Sequence, residues 1–190
     1  MRILITSICE RFNTSTKIIT ARATSDLLKG TQFSDVTELE WGQSRSVSNA
    51  AGEIEVTAFP VNHWGARMQR DMYRGYNGYL IQRKERRIIF AGDTAMTENF
   101  AALRRHGPID VAIMSISAYN PWIQSHCTPE QAVQMANAAG ARFIMPVHHQ
   151  TFRLSFEPFC EPIERFETAL SKTPERIALR KIGETFVLPS

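Results

Sequence analysis

The alternation of apolar and polar positions predicts a series of short strands separated by helices and turns. Some segments change polarity with the period of two that half-buried strands show, and others are short β-branched runs bounded by turn residues. The predicted strands are residues 17–21, 36–39, 54–59, 78–82, 87–91, 111–116 and 143–147. Residues 42–52 are predicted to form a turn, and the charged run 83–87 a solvated hairpin turn.

Helical spacing and helix-boundary residues predict the elements between these strands. Helices are predicted at residues 8–11, 25–29, 97–106, 128–140 and 161–171, and a closing hairpin at 176–180 and 185–188. The clearest start is Thr128-Pro129, where the threonine supplies an N-cap hydroxyl and Gln131 completes a capping box. Because strands and helices alternate without repeats, the sequence predicts an α/β layered fold in a single domain, residues 1–190.

Composition and charge exclude several classes of protein. A net charge of +3 over 190 residues, with the basic residues scattered, does not indicate nucleic-acid binding. Three cysteines without C-x-x-C spacing indicate neither a disulfide framework nor a zinc knuckle, so we expect a cytoplasmic protein. No apolar run reaches membrane-spanning length, so any membrane contact is expected to be peripheral, and a homo-oligomer is left open.

Three residues with metal-binding side chains follow predicted strands: His63, Asp93 and His148. Zinc binds imidazole nitrogen and carboxylate oxygen, and a carboxylate can bridge two cations. Taken singly, Asp93 could be a turn former in Gly-Asp-Thr, and a histidine at the end of a strand could be a hydrogen-bonded core residue. Their equivalent placement predicts that one edge of a sheet gathers all three into a metal site.

Six motifs in a fixed order resemble one branch of the metallo-β-lactamase superfamily. They are PVNHWGAR (60–67), FAGDT (90–94), GPID (107–110), SAYNPW (117–122), HCTPEQAV (126–133) and VHHQTF (147–152). They are similar to the N-acyl-phosphatidylethanolamine-hydrolysing phospholipase D members, and ascorbate-phosphate lactonase relatives share parts of the pattern. The resemblance spans roughly residues 8–169 and implies an αββα sandwich.

The resemblance also implies a role for each matching residue. His63 becomes a ligand of one zinc ion, Asp93 the carboxylate that bridges two zinc ions, and His148 a ligand of the second. Tyr119 and His126 match residues near the substrate, and His126 is also a candidate for proton transfer or phosphate contact. His149 is assigned to the pocket wall or the core. Six aromatic residues are candidates for an acyl-chain groove or for packing: Trp41, Trp64, Tyr73, Tyr76, Trp122 and Phe152.

The superfamily's His-x-His-x-Asp-His motif is absent, because the first histidine of the chain is His63. In the alignment the motif would fall upstream of Met1, so we expect a sandwich that lacks its N-terminal strands. Either the natural protein is longer than this sequence, or the chain is a degenerate member.

The sequence leaves three functions open. The first is metal-assisted hydrolysis of a phosphodiester in a lipid or small molecule, in which a metal-activated water attacks phosphorus. The second is a lactonase-like esterase. The third is a catalytically incompetent remnant that acts as a binding or interaction module.

Overall fold

The computed structural model describes residues 12–65 and 72–189. Eight strands lie within them: β1 (Ile18–Ala21), β2 (Val36–Leu39), β3 (Ser44–Asn49), β4 (Gly52–Phe59), β5 (Gly78–Arg83), β6 (Arg86–Phe90), β7 (Ile109–Ser115) and β8 (Ala141–Val147). The helices are α1 (Pro129–Ala139) and α2 (Glu161–Ala169), with 3-10 helices at Ser25–Leu28, Glu98–His106 and Pro174–Arg176. The α/β prediction is therefore confirmed. The helix predicted at residues 8–11 lies outside the described residues.

The direction of the strands determines where the loops of the main sheet meet. Six strands are ordered β3-β4-β5-β6-β7-β8, while β1 and β2 form a separate parallel pair. β5 is antiparallel to both β4 and β6, and β7 and β8 run parallel to β6. β4, β6, β7 and β8 consequently point the same way, so their carboxyl ends lie at one edge of the sheet.

A layer of helices covers the parallel part of the sheet. α1 packs on β7 and β8 and also contacts α2 and the 3-10 helix Glu98–His106. Leu80, Ile89, Met114 and Ile144 from the strands form one buried cluster with Phe100, Met135 and Phe166 from the helices. Among residues 12–65 and 72–189, none of the helices is both long and apolar enough to span a bilayer.

The start and end of α1 follow the predicted chemistry. The Thr128 hydroxyl accepts from the Gln131 N–H at 3.3 Å, and the Gln131 side chain accepts from the Thr128 N–H at 3.0 Å. Gly140 ends the helix in a left-handed conformation with φ 76°. These reciprocal bonds satisfy backbone donors that the first turn of a helix otherwise leaves unpaired.

The predicted turn at residues 42–52 is wrong, because Ser44–Asn49 forms strand β3. It pairs antiparallel with β4 from Ser44–Thr57 to Asn49–Gly52. All of its residues are exposed except Val47, which is half-buried. An edge strand of this kind gains its structure from the hydrogen-bond ladder to β4, so it shows no apolar face in the sequence.

The predicted closing hairpin is also wrong. Instead, Ile177 forms a single parallel bridge to Ile144 of β8, and no strand forms in the described residues after it. The Glu184 carboxylate accepts from the N–H groups of Arg180 and Lys181 at 2.9 and 3.0 Å. These side-chain bonds compete with strand pairing, and Val187 remains 79% exposed, so burial does not favour a hairpin either.

One carboxylate organises the loop after β1 and yields a prediction for acid stability. Glu38 accepts from the N–H groups of Ala23, Thr24 and Ser25 at 2.8 to 3.0 Å. Hydrogen bonding by the Ser25 side chain, followed by these backbone donors, lowers the pKa of Glu38 to about 2. We expect Glu38→Gln to reduce the free energy of unfolding at pH 7 by about 1 kcal/mol. Urea denaturation measures this loss.

The sign of the pKa shift fixes the pH range of the effect. A carboxyl group whose pKa is lowered on folding stabilises the protein above its unfolded pKa, and the contribution is lost as pH falls through the folded pKa. The difference between the wild type and Glu38→Gln should therefore shrink as pH falls from 4.5 to about 2. The neighbouring Glu40→Gln variant is the control, because the Glu40 carboxylate lies 3.9 Å from Arg22 in an exposed surface ion pair, which contributes little to stability. An equal loss in both variants would contradict the assignment.

Candidate metal centre

Four chemically suited side chains converge where the parallel strands end. His63 follows β4, Asp93 follows β6, His126 lies on the loop after β7, and His148 follows β8. The Asp93 carboxylate lies between two imidazoles: Oδ2 is 3.9 Å from His126 Nε2, and Oδ1 is 3.7 Å from His148 Nε2. Ring centroids are 5.4 Å apart for His63–His126 and 5.5 Å for His126–His148. The structure thus brings the three predicted ligands together and adds His126.

A buried threonine ties the His63 loop to the Asp93 turn. Thr94 is fully buried, and its hydroxyl accepts from the Asn62 N–H at 2.9 Å. The Ala95 N–H donates to the Asn62 carbonyl at 2.7 Å, so Asn62 is held by both of its backbone groups. Thr94 stands in the Gly-Asp-Thr motif, but nothing in the sequence alone indicates that its hydroxyl positions the loop of His63.

A left-handed backbone conformation at the end of β8 positions His148, and a turn before α1 positions His126. His148 has φ 61°, a left-handed conformation that costs a non-glycine residue about 1–2 kcal/mol. The N–H groups of Ser125 and His126 both donate to the Trp122 carbonyl at 2.9 Å, which closes the turn before α1. Strained backbone such as that of His148 persists where the surrounding structure over-determines it, as it often does at functional sites.

Burial keeps two of these imidazoles neutral. It lowers the pKa of His63 and of His126, and outweighs the opposing effect of the Asp93 carboxylate in both cases. A neutral imidazole has a nitrogen lone pair that can bind a metal or accept a proton. At neutral pH the site therefore contains imidazole bases beside a carboxylate.

The donor set fits a metal ion. One ligand atom each from His63, Asp93 and His126 lie within 4.8 Å of one another. Nδ1 of His126 and Nδ1 of His148 are buried, and neither has a hydrogen-bond partner within the described residues. The Nε2 atoms of the same two rings face the Asp93 carboxylate at 3.9 and 3.7 Å, and imidazole nitrogens next to a carboxylate match the ligand preference of zinc and similar divalent cations.

The four side chains line a cavity of about 670 Å³, to which Arg74 and Ser125 add further polar groups. Most of the rest of its wall is apolar, and three of the six aromatic candidates for a groove lie on it: Trp64, Tyr76 and Trp122. Leu27 and Leu154 extend this apolar wall. The cavity therefore places a charged, metal-binding end next to a surface suited to an apolar group.

The other predicted site residues lie elsewhere. Tyr119 is buried and is not part of the cavity wall; its hydroxyl donates to Glu161 at 2.8 Å, and burial raises its pKa. His149 is half-buried beside Gln150. Trp41 stacks edge-on against Tyr76 with ring centroids 5.7 Å apart. Tyr73 and Phe152 are exposed outside the cavity. A substrate contact by Tyr119 stays a prediction.

Comparison with known proteins identifies the family. Residues 6–149 match the family model of the beta-lactamase superfamily domain. The chain therefore belongs to the metallo-β-lactamase superfamily, and the predicted family and fold class are confirmed.

Two relatives are about 30% identical to this chain over most of its length. An uncharacterized Mycobacterium tuberculosis protein is 32% identical over 149 residues, which is 76% of this chain and 38% of that protein. N-acyl-phosphatidylethanolamine-hydrolyzing phospholipase D 1 of Caenorhabditis elegans is 30% identical over 139 residues, 70% of this chain and 39% of the enzyme. The chain thus spans less than two-fifths of the length of these relatives.

Solved structures share the fold at low sequence identity. Igni18, a metallo hydrolase of Ignicoccus hospitalis, superposes with a TM-score of 0.67 at 19% identity, covering 94% of this chain and 70% of that one. An isothiocyanate hydrolase from Delia radicum gut bacteria superposes with a TM-score of 0.68 at 11% identity, and the match covers 95% of this chain and 70% of that one. The fold therefore accommodates different substrates, and the site must decide the function.

Proposed function

We propose that the protein is a metal-dependent hydrolase that uses zinc to cleave a phosphodiester in a lipid or small molecule. One observation carries the proposal: three imidazoles and a carboxylate converge on a cavity of about 670 Å³ whose remaining wall is mostly apolar. The similarity to an N-acyl-phosphatidylethanolamine-hydrolyzing phospholipase D supports the choice of a phosphodiester.

The residues divide the catalytic work between them. Bound zinc would supply Lewis-acid stabilisation of charge on a phosphoryl oxygen and would lower the pKa of water. His63, Asp93 and His148 would hold the zinc, and the Asp93 carboxylate would supply the negative charge among the imidazole ligands. His126 lies close enough to add a ligand or to accept a proton from water, and its lowered pKa keeps it neutral for either role.

The apolar wall supports an apolar group on the substrate. Leu27, Trp122 and Leu154 lie on the same cavity as the polar cluster, and Trp122 is 53% exposed. A substrate with a hydrocarbon chain next to a phosphodiester would bury that chain against them while its phosphate lay at the end of the cavity where the zinc would be held. Burial of apolar surface contributes about 25 cal/mol per Å², so an acyl chain adds substantial affinity.

Metal analysis combined with hydrolysis assays tests the proposal. We expect the purified protein to bind zinc and to hydrolyse bis(p-nitrophenyl) phosphate or N-acyl-phosphatidylethanolamine faster than a lactone. Chelation should abolish turnover, and zinc should restore it. His63→Ala should lose zinc, whereas His106→Ala is the matched control, because His106 ends the 3-10 helix Glu98–His106 and lies outside the cavity.

The outcomes separate the proposal from its alternatives. Faster cleavage of the lactone would favour a lactonase-like esterase. Zinc binding without turnover of any of these substrates would favour a binding module, and no zinc binding after zinc addition would reject the metal-dependent function.

A further inference from the structure

Glu157 is a buried carboxylate that contacts the loop between β7 and α1. It is 5% exposed. Its Oε1 accepts from the Ala118 N–H and the Ser155 hydroxyl, each at 2.6 Å, and its Oε2 accepts from the Asn120 N–H at 3.2 Å. We propose that Glu157 is a positioning residue that fixes residues 116–126 and thereby holds His126 beside Asp93. This inference rests on the proposed function, because it assigns His126 to the metal centre.

The loop needs an external acceptor because its backbone leaves regular structure. Ala118 has φ 67°, a left-handed conformation that a residue with a Cβ rarely adopts. Its N–H and that of Asn120 therefore lack the ladder partners that they would have in a strand. The Glu157 side chain satisfies both, and the Phe156 N–H returns a bond to the Asn120 carbonyl at 2.9 Å. Residues 155–157 thus clamp one end of the loop.

A short stretch of backbone connects the residues that Glu157 holds to His126. Trp122 lies two residues beyond Asn120, and its carbonyl accepts the N–H groups of Ser125 and His126. The capping box at Thr128 fixes the other side of His126. His126 is therefore held between the Glu157 clamp and the start of α1.

The charge of Glu157 suits this task. Burial would raise its pKa, but hydrogen bonds from the Ser155 side chain, its own N–H, Ala118 and Asn120 outweigh burial and lower it. The carboxylate is thus ionised at neutral pH and accepts charge-assisted bonds, which are stronger than neutral ones. Glu161 on the same segment differs, since it pairs with Arg165 at 3.0 Å and contacts the loop only through the Tyr119 hydroxyl.

Amide hydrogen exchange of the full-length chain tests the clamp without reference to activity. Glu157→Gln places an amide nitrogen against one of the N–H donors, so it breaks at least one bond while preserving volume. We expect exchange at Ala118, Asn120 and His126 to accelerate by about 10-fold, which corresponds to losing one net hydrogen bond. Residues of β7 and α1 should not change. Glu161→Gln is the matched control and should leave the three amides protected.

A double-mutant cycle tests whether Glu157 acts through His126. Glu157→Gln should weaken zinc affinity, measured by competition with a chromophoric chelator, by about 10-fold. In the His126→Ala background, Glu157→Gln should change the zinc affinity little further, because substitutions of two residues that act together have effects that do not add.

Each outcome bears on the proposal. Additive losses in the cycle, or accelerated exchange throughout the chain, would overturn a positioning role. If the wild-type protein binds no zinc, the proposed function is rejected. If amide exchange in Glu157→Gln still accelerates only at Ala118, Asn120 and His126, the clamp is supported all the same. If Glu157→Gln does not fold, Ser155→Ala should give the same local pattern with smaller amplitude, and its absence would overturn the clamp.

Discussion

Replacing Asp93 by alanine is expected to weaken zinc binding by at least about 100-fold and to remove hydrolytic activity with it. Its two oxygens face His126 and His148 from 3.9 and 3.7 Å, so the substitution removes negative charge from the middle of a group of imidazoles. Without a carboxylate, a divalent cation would be held by neutral nitrogen ligands only. Chelator competition gives the zinc affinity, and kcat/KM for the phosphodiester gives the loss of activity.

Asp110→Ala is the matched control for this variant. Asp110 also belongs to the main sheet, but it stands at the start of β7, the end away from the metal centre. It binds Arg86 at 2.9 Å and the Arg87 N–H at 2.8 Å, so its loss affects stability locally. The zinc affinity of Asp110→Ala should equal that of the wild type. Unchanged zinc uptake in Asp93→Ala would reject the proposed metal centre.

The sequence predicts the strands whose apolar and polar positions reflect burial. It does not predict a strand that forms only because it pairs with a neighbouring strand. β2 was predicted from local alternation, and its bounds, Val36–Leu39, agree with the prediction. β3 was missed because Ser44–Asn49 buries no side chain, and only its ladder to β4 makes it a strand. Local polarity carries no information about such partners, which lie elsewhere in the chain.

The candidate site shows the same division. His63, Asp93 and His148 lie within four residues of the ends of β4, β6 and β8, so their convergence requires only that these strands run in the same direction. His126 is separated from β7 by a long loop, and nothing local shows that this loop folds back to Asp93. The contact of Glu157 with this loop cannot be predicted from the sequence for the same reason, because Ala118 and Asn120 lie more than 35 residues away from it.

Gly65→Ala is expected to destabilise the protein by about 2–5 kcal/mol and to weaken zinc binding. Gly65 has φ 63°, and an added Cβ would lie 2.2 Å from the Arg74 carbonyl oxygen and 3.0 Å from a ring carbon of Tyr76. The carbonyl is backbone and cannot rotate away, so the loop that carries His63 must move. The Gly65 N–H also faces His63 Nδ1 at 3.4 Å, and Tyr76 packs against the His63 ring. Denaturant unfolding and zinc titration measure the two effects.

Gly42→Ala separates the clash from the cost of the backbone conformation. Gly42 also has positive φ, 85°, but a Cβ there would meet no atom within 4 Å. The free energy of unfolding of Gly42→Ala should therefore fall by only about 1–2 kcal/mol, the cost of a left-handed alanine, and the zinc affinity should not change. Suppose that Gly65→Ala destabilises the protein no more than Gly42→Ala does, and that both variants bind zinc with equal affinity. The close packing of Gly65 on Arg74 would then not be responsible for the position of His63. A larger loss of both properties would show that the His63 loop depends on a backbone contact that only glycine permits.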